Sequence, residues 1–325
     1  MPVIAVSLLT LALASTAGSP RNDDWLPASG TDQVSVNDID FAGRYGFAAG
    51  SFNRGLVSDD GGYSWTPISV IPAQGQSLLW GHAASRDELF AARIGLYHSI
   101  DRGQTWQELG NLGSSGGGNV FDLQLLDADH LVAIKGGQIQ LSTDAGLTWS
   151  IVYPGEFDVN FDELHFPTAQ IGYASGGISR EGSSVGNVLR SDDGGASWTL
   201  LEFGHSKITA ADFIDADHAL VATQSDGFFF TSDGAQSWQF LADVPDAQYI
   251  SDLAHRGDLH WYATTYSGCI YESVDGGRQW QPSYCDGEER ALSTISLRGG
   301  AAVAGGNDGL VLFENRIFRD GLDGG

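Results

Sequence analysis

The chain has 325 residues, with 16 Lys and Arg against 41 Asp and Glu and a formal net charge of -25 at pH 7. A surface this acidic repels phosphate backbones, which excludes nucleic acid as a partner, and it is equally unsuited to anionic lipid headgroups. Glycine is abundant at 44 residues while proline is held to 9, a balance that suits many tight turns between ordered strands.

The chain opens on MPVIAVSLLTLALASTAG, an apolar run from Val3 to Ala14 followed by small residues suited to cleavage after Ala14 or Ala17. That run is too short to span a bilayer, so residues 1–17 are expected to be a secretory signal peptide and the protein to be exported, to a periplasm or to the medium. No Lys or Arg precedes the run, so its positive end is expected either from the α-amino group or from a true start further upstream.

From residue 23 the chain is organised by one eight-residue phrase. It is first written SDDGGYSW from Ser58, then SIDRGQTW from Ser99, STDAGLTW from Ser142, SDDGGASW from Ser191, TSDGAQSW from Thr231 and SVDGGRQW from Ser273. Its aspartates, Asp60, Asp101, Asp144, Asp193, Asp233 and Asp275, lie 41, 43, 49, 40 and 42 residues apart, the period of a unit of four short strands. Gly at the fifth position permits the positive φ of a tight turn, and the Asp accepts backbone N–H groups of that turn. The Trp that ends each phrase (Trp65, Trp106, Trp149, Trp198, Trp238, Trp280) is apolar in body with one polar N–H, a wedge between units. The six aspartates are therefore read as structural, with no catalytic role.

Between the phrases, runs such as VNDIDFAG, YGFAAGS and GLVSD have strand length and no helical period. LLDADHLVAIK and FIDADHALVAT share one turn, which makes His130 and His218 turn residues and not metal ligands. Residues 291 to 316 supply three strands but no phrase and no Trp. The missing strand stands at the other end: DDWLPA, residues 23 to 28, places Trp25 where each phrase places its Trp. The expected fold is thus all-β, a seven-bladed propeller over residues 23–316 closed by pairing the N-terminal strand with the C-terminal three, followed by an acidic tail at 317–325. Cys269 and Cys285 flank the sixth turn in a register that allows a disulfide.

The phrase resembles the Asp-box, or bacterial neuraminidase repeat, which caps a strand-to-strand turn in β-propellers. VNDIDFAGRYGFAAG followed by LVSDDGGYSW, and FDELHFPTAQIGYASGG followed by VLRSDDGGASW, resemble the units of the photosystem II stability and assembly factor family and its relatives in non-photosynthetic bacteria. The resemblance spans the repeat region and implies an exported, non-enzymatic scaffold that binds a protein partner during assembly or stabilisation at a membrane. The chain departs from that wording in its acidity and at Ala235 and Gln279 of the later phrases. Sialidases with this repeat carry an Arg-Ile-Pro phrase, three carboxylate-gripping arginines and a Tyr–Glu nucleophile pair. No Arg-Ile-Pro occurs here and no motif nominates a Glu beside Tyr266, so no catalytic residue is carried over.

In such a blade the loops joining second and third strands share one face with the blade-to-blade connections. Arg54, Arg93, Lys135 and Arg180 fall at comparable loops of four successive blades, with Tyr266 in the sixth, and are read as a basic arc contacting the partner. GGISREGSSVGN, from Gly176 to Asn187, is read as a mobile, exposed excursion beside it. A monomer with no cofactor and no metal is expected. The alternative is a carbohydrate-active protein, either a lectin-like glycan binder or a sialidase-like hydrolase.

Overall fold

The computed structural model describes residues 24–70, 77–110, 112, 118–155, 160–180, 183–245, 248–298 and 301–315. The expected signal peptide and the tail at 317–325 lie outside them. The described strands form seven four-stranded antiparallel sheets, six of them from consecutive strands. The seventh takes Leu292–Arg298, Ala301–Gly306 and Val311–Glu314 from the end of the chain and Trp25–Pro27 from its start. Trp25 stands opposite Glu314, Leu26 opposite Phe313 and Pro27 opposite Leu312. The ring is therefore closed by the N-terminal strand, as the sequence predicts.

Within a blade, apolar character follows distance from the axis. Second strands are buried along nearly their whole length, as in Tyr45–Gly50, Leu131–Lys135 and Ala219–Thr223, because neighbouring blades cover both of their faces. Such strands read as unbroken apolar runs, whereas a half-covered strand alternates. Outer strands such as Thr66–Ser69 and Thr199–Glu202 are exposed or half-buried throughout and carry polar residues.

Each repeated turn joins a third strand to an outer strand. In the first, Ser58 Oγ donates to Asp60 Oδ1 at 2.9 Å and accepts Gly62 N–H at 2.8 Å. Asp60 then takes the Ser64 N–H at 3.0 Å and the Ser64 hydroxyl at 2.5 Å. The same set recurs around Asp101, Asp144, Asp193 and Asp233. Hydroxyl donation from Thr105, Thr148, Ser197 and Ser237 holds those four carboxyls below the ordinary aspartate range. Gln279 gives Asp275 its backbone N–H at 2.9 Å but has no hydroxyl to add.

The seven tryptophans pack backwards around the ring, each against the blade before its own. Trp106 lies 5.9 Å from Phe47 between ring centroids, Trp280 stacks on Phe228 at 4.5 Å, and Trp25 meets Tyr262 edge-on at 6.1 Å. Trp65, Trp149, Trp198 and Trp238 join the apolar clusters of blades seven, two, three and four. Cys269 and Cys285 face each other across the sixth hairpin and are bonded, with Sγ atoms 2.00 Å apart.

Candidate functional site

Six of the seven innermost strands, all but Ile208–Phe213 of blade five, line a central cavity of about 410 Å³. Most of the seven enter through a register shift, between Val36 and Asp38 in blade one and at the matching place in blades three to seven. The residue after the shift is Asp38, Asp122, Glu163, Ala210, Asp252 or Thr294, with Trp80 in the same row of blade two. Four of these seven positions hold acids, and each acid reaches across to the next blade. Asp38 accepts Gly81 N–H at 2.9 Å, Asp122 accepts Leu164 N–H at 2.6 Å, Glu163 accepts Ala211 N–H at 2.8 Å and Asp252 accepts Ile295 N–H at 2.8 Å. Enclosure outweighs those bonds: burial pushes the Asp38 and Asp122 carboxyls up to about 7, and it also raises Asp252 and Glu163.

Further along the same strands, acids pair with imidazoles. His82 Nδ1 is 2.6 Å from Asp40 Oδ2, and His255 Nδ1 is 2.6 Å from Asp212 Oδ2, both across blade boundaries. His165 Nε2 is buried without a hydrogen bond, 3.6 Å from Glu163 Oε2. Among the described residues no group of three or more His, Cys, Asp or Glu is arranged to hold a metal ion.

At the end where the blade-to-blade connections arrive, the cavity opens to a mouth. Tyr249 and Tyr266 stack there at 5.1 Å with 39% and 53% of their surfaces exposed, Phe121 reaches the opening, and Lys207 pairs with Asp162 at 2.6 Å. Phe52, 74% exposed, and Ile94 belong to the same set of loops.

The expected basic arc meets this face unevenly. Arg54 is half-buried, with Nη1 3.4 Å from the Asp32 carbonyl. Arg93 is also half-buried and donates to the Ser77 carbonyl at 2.8 Å. Lys135 is no surface cation: it is buried, and its Nζ donates to the Ile94 and Leu112 carbonyls at 3.1 and 2.5 Å, clipping blade three to the chain of blade two. Burial holds its ammonium below the ordinary lysine range. Its four CH₂ groups let a lysine reach such carbonyls while the stem stays in the core. Arg180 ends its strand opposite Ser183, and its side chain lies outside the described set.

The expected mobile excursion is instead paired strand. Gly172–Arg180 and Ser183–Ser191 stay in register to Arg180 opposite Ser183, with Ile178 facing Val185. The ribbon leans on blade five, where Ser184 Oγ donates to Gln224 at 2.8 Å and accepts Lys207 N–H at 3.0 Å. His130 and His218 close their turns by lying 2.8 and 2.9 Å from Asp127 and Asp215. The channel acids, Lys207 and Tyr249 were not singled out by the sequence reading. The signal for the acids was the residue repeated in VNDIDF, VFDLQL, FDELHF and ISDLAH at one place of four first strands.

Ring and mouth together define a seven-bladed β-propeller with a lined channel and one face built of loops. No protein-family model matches the sequence, and no curated protein matches it. Among solved structures, the chain is similar to YCF48 from Cyanidioschyzon merolae, at 19% identity and TM-score 0.73 over 90% of this chain and 99% of that one. It is similar, too, to YCF48 bound to D1 peptide, at 16% identity and TM-score 0.73 over 90% and 96% of the two chains. An ancestral GH74 enzyme is similar over 70% of this chain but only 34% of its own, at 17% identity and TM-score 0.58.

Proposed function

We propose that the protein is an exported, non-enzymatic propeller that binds a protein partner through its loop face and serves as an assembly or stability scaffold. The observation that carries this reading is the likeness, over the whole ring, to a propeller whose structure was determined with a peptide bound. The mouth suits such a role, since Phe52, Phe121, Tyr249 and Tyr266 are aromatic, partly exposed and mounted on rigid blades. Aromatic residues with few torsions dominate protein contacts at low entropic cost. Arg54 and Arg93 are read as rim charges of that face, and Lys135 serves the fold.

A carbohydrate-active role draws on the partial likeness to the GH74 enzyme. Glycoside hydrolysis by paired carboxyls needs one free to give a proton and one free to attack or to activate water. In the channel, each acid accepts a backbone N–H of the adjoining blade, which ties it to the frame of the ring. The test is affinity capture from an envelope extract of the source organism, with wild type and a Phe52→Ala/Tyr249→Ala/Tyr266→Ala variant immobilised side by side. A defined protein held by wild type and lost by the variant, with the circular dichroism of both unchanged, supports the scaffold. Glycan-bearing material held equally by both overturns it.

A further inference from the structure

The channel acids occupy equivalent positions and each bridge one blade to the next. We propose that they form a proton-dependent clasp, so that the ring is held most tightly with these carboxyls protonated and loosens as they ionise. The bridging bond itself survives protonation, because a neutral carboxyl still accepts an N–H through its carbonyl oxygen. Ionisation adds a charge inside a cavity shared with the other three acids, with repulsion from those neighbours.

The surroundings leave those charges poorly compensated. Asp38 faces Asp40 on its own strand and His82 on blade two, and that imidazole is engaged by Asp40. Asp122 faces His165 on blade four and Asp38 across the channel. Glu163 has His165 and Asp162 on its own strand, and Lys207 nearby is bonded to Asp162. Asp252 faces Glu163 and Asp38, and the described residues of blade seven that line the cavity are Ser293 and Thr294. Asp212 of blade five is matched by His255 of blade six. The four acids therefore titrate as a coupled set.

The direction follows from linkage. Burial raises these four carboxyls in the fold, Asp38 and Asp122 to about 7, while in the unfolded chain they ionise in the ordinary range. Between those limits the folded state holds more protons than the unfolded one, so stability falls as pH rises and levels off once the ring has ionised. His165 and His255, raised after burial is offset by their carboxylate partners, lose their stabilising charge in the same direction. The His255–Asp212 pair must therefore be left intact in the comparison.

The experiment is thermal unfolding of wild type and of Asp38→Asn/Asp122→Asn/Glu163→Gln/Asp252→Asn from about pH 5 to about pH 8.5, spanning the ordinary carboxyl range to beyond the raised one. The wild-type Tm should drop by several degrees across that range, while the amide variant stays nearly level and becomes the more stable of the two at the alkaline end. Parallel curves overturn the proposal. Because four changes together risk misfolding, infrared titration of the unaltered protein is the second readout. A protonated-carboxyl C=O band should persist at about pH 6, fade as pH passes neutrality and shrink in Asp122→Asn; a spectrum without that band at about pH 6 overturns the clasp.

Discussion

In five of the six repeated turns the fifth residue is glycine, with φ of +89° at Gly62, +77° at Gly103, +83° at Gly146, +85° at Gly195 and +82° at Gly277. The remaining turn, the fifth along the chain, places Ala235 there at φ +67°, fully buried. A Cβ in this region clashes with its own backbone. The same turn is the one whose tryptophan, Trp238, has a buried Nε1 without a partner, whereas Trp65, Trp106, Trp149, Trp198 and Trp280 each donate to the glycine carbonyl three residues back. Ala235→Gly is predicted to stabilise the protein by about 1 kcal/mol, against the usual cost of replacing alanine by glycine. A urea midpoint that rises checks this, and one that falls contradicts it. The fifth-position glycine was legible in the sequence; the equally positive φ of the fourth position was not, because Arg102 and Ala145 stand there at +63° and +58° and disguise it.

Strands and hairpins show where a pattern in sequence carries and where it stops. Apolar runs bounded by glycine gave the blades, since burial on both faces leaves a distinctive composition. Gly176 to Asn187 misled for the opposite reason: its Gly and Ser content resembles a loop, yet Ile178 and Val185 face each other across a paired ribbon and Gly186 N–H is bonded to the His205 carbonyl at 2.8 Å. Lys135 misled in a similar way, because a cation at a strand end looks exposed until the neighbouring blade supplies carbonyls for it. The sixth hairpin carries the one prediction at this scale. Its disulfide closes a sequence separation of 16 residues, so Cys269→Ser/Cys285→Ser should lose about 2–3 kcal/mol of unfolding free energy relative to the oxidised protein. Chemical denaturation with and without reductant measures it; overlapping curves would show that the hairpin is held by its strand pairing alone.

At the scale of the whole molecule, closure and lining have different visibility. The count of six phrases with seven tryptophans led directly to a ring sealed by Trp25–Pro27 against Val311–Glu314, because a strand missing at one end and spare at the other has one economical solution. The channel was harder to read. Its acids lie on strands whose first residues pass for polar alternation, and only the bonds to Gly81, Leu164, Ala211 and Ile295 reveal that they join blades. The mouth draws Tyr249, Tyr266, Phe121 and Lys207 from four different blades or connections, a convergence that no local stretch of sequence displays.

The claim that the loop face receives a protein partner is tested most directly by photo-cross-linking in the source cell. A photoreactive phenylalanine analogue would be placed at Phe52 or Tyr266 on that face, and at Ile100 or Val274 on the opposite one, all four being well exposed. The account predicts one discrete protein adduct from Phe52 and Tyr266 and none from Ile100 and Val274. An adduct formed from Ile100 or Val274 instead, or from no position at all, would contradict it.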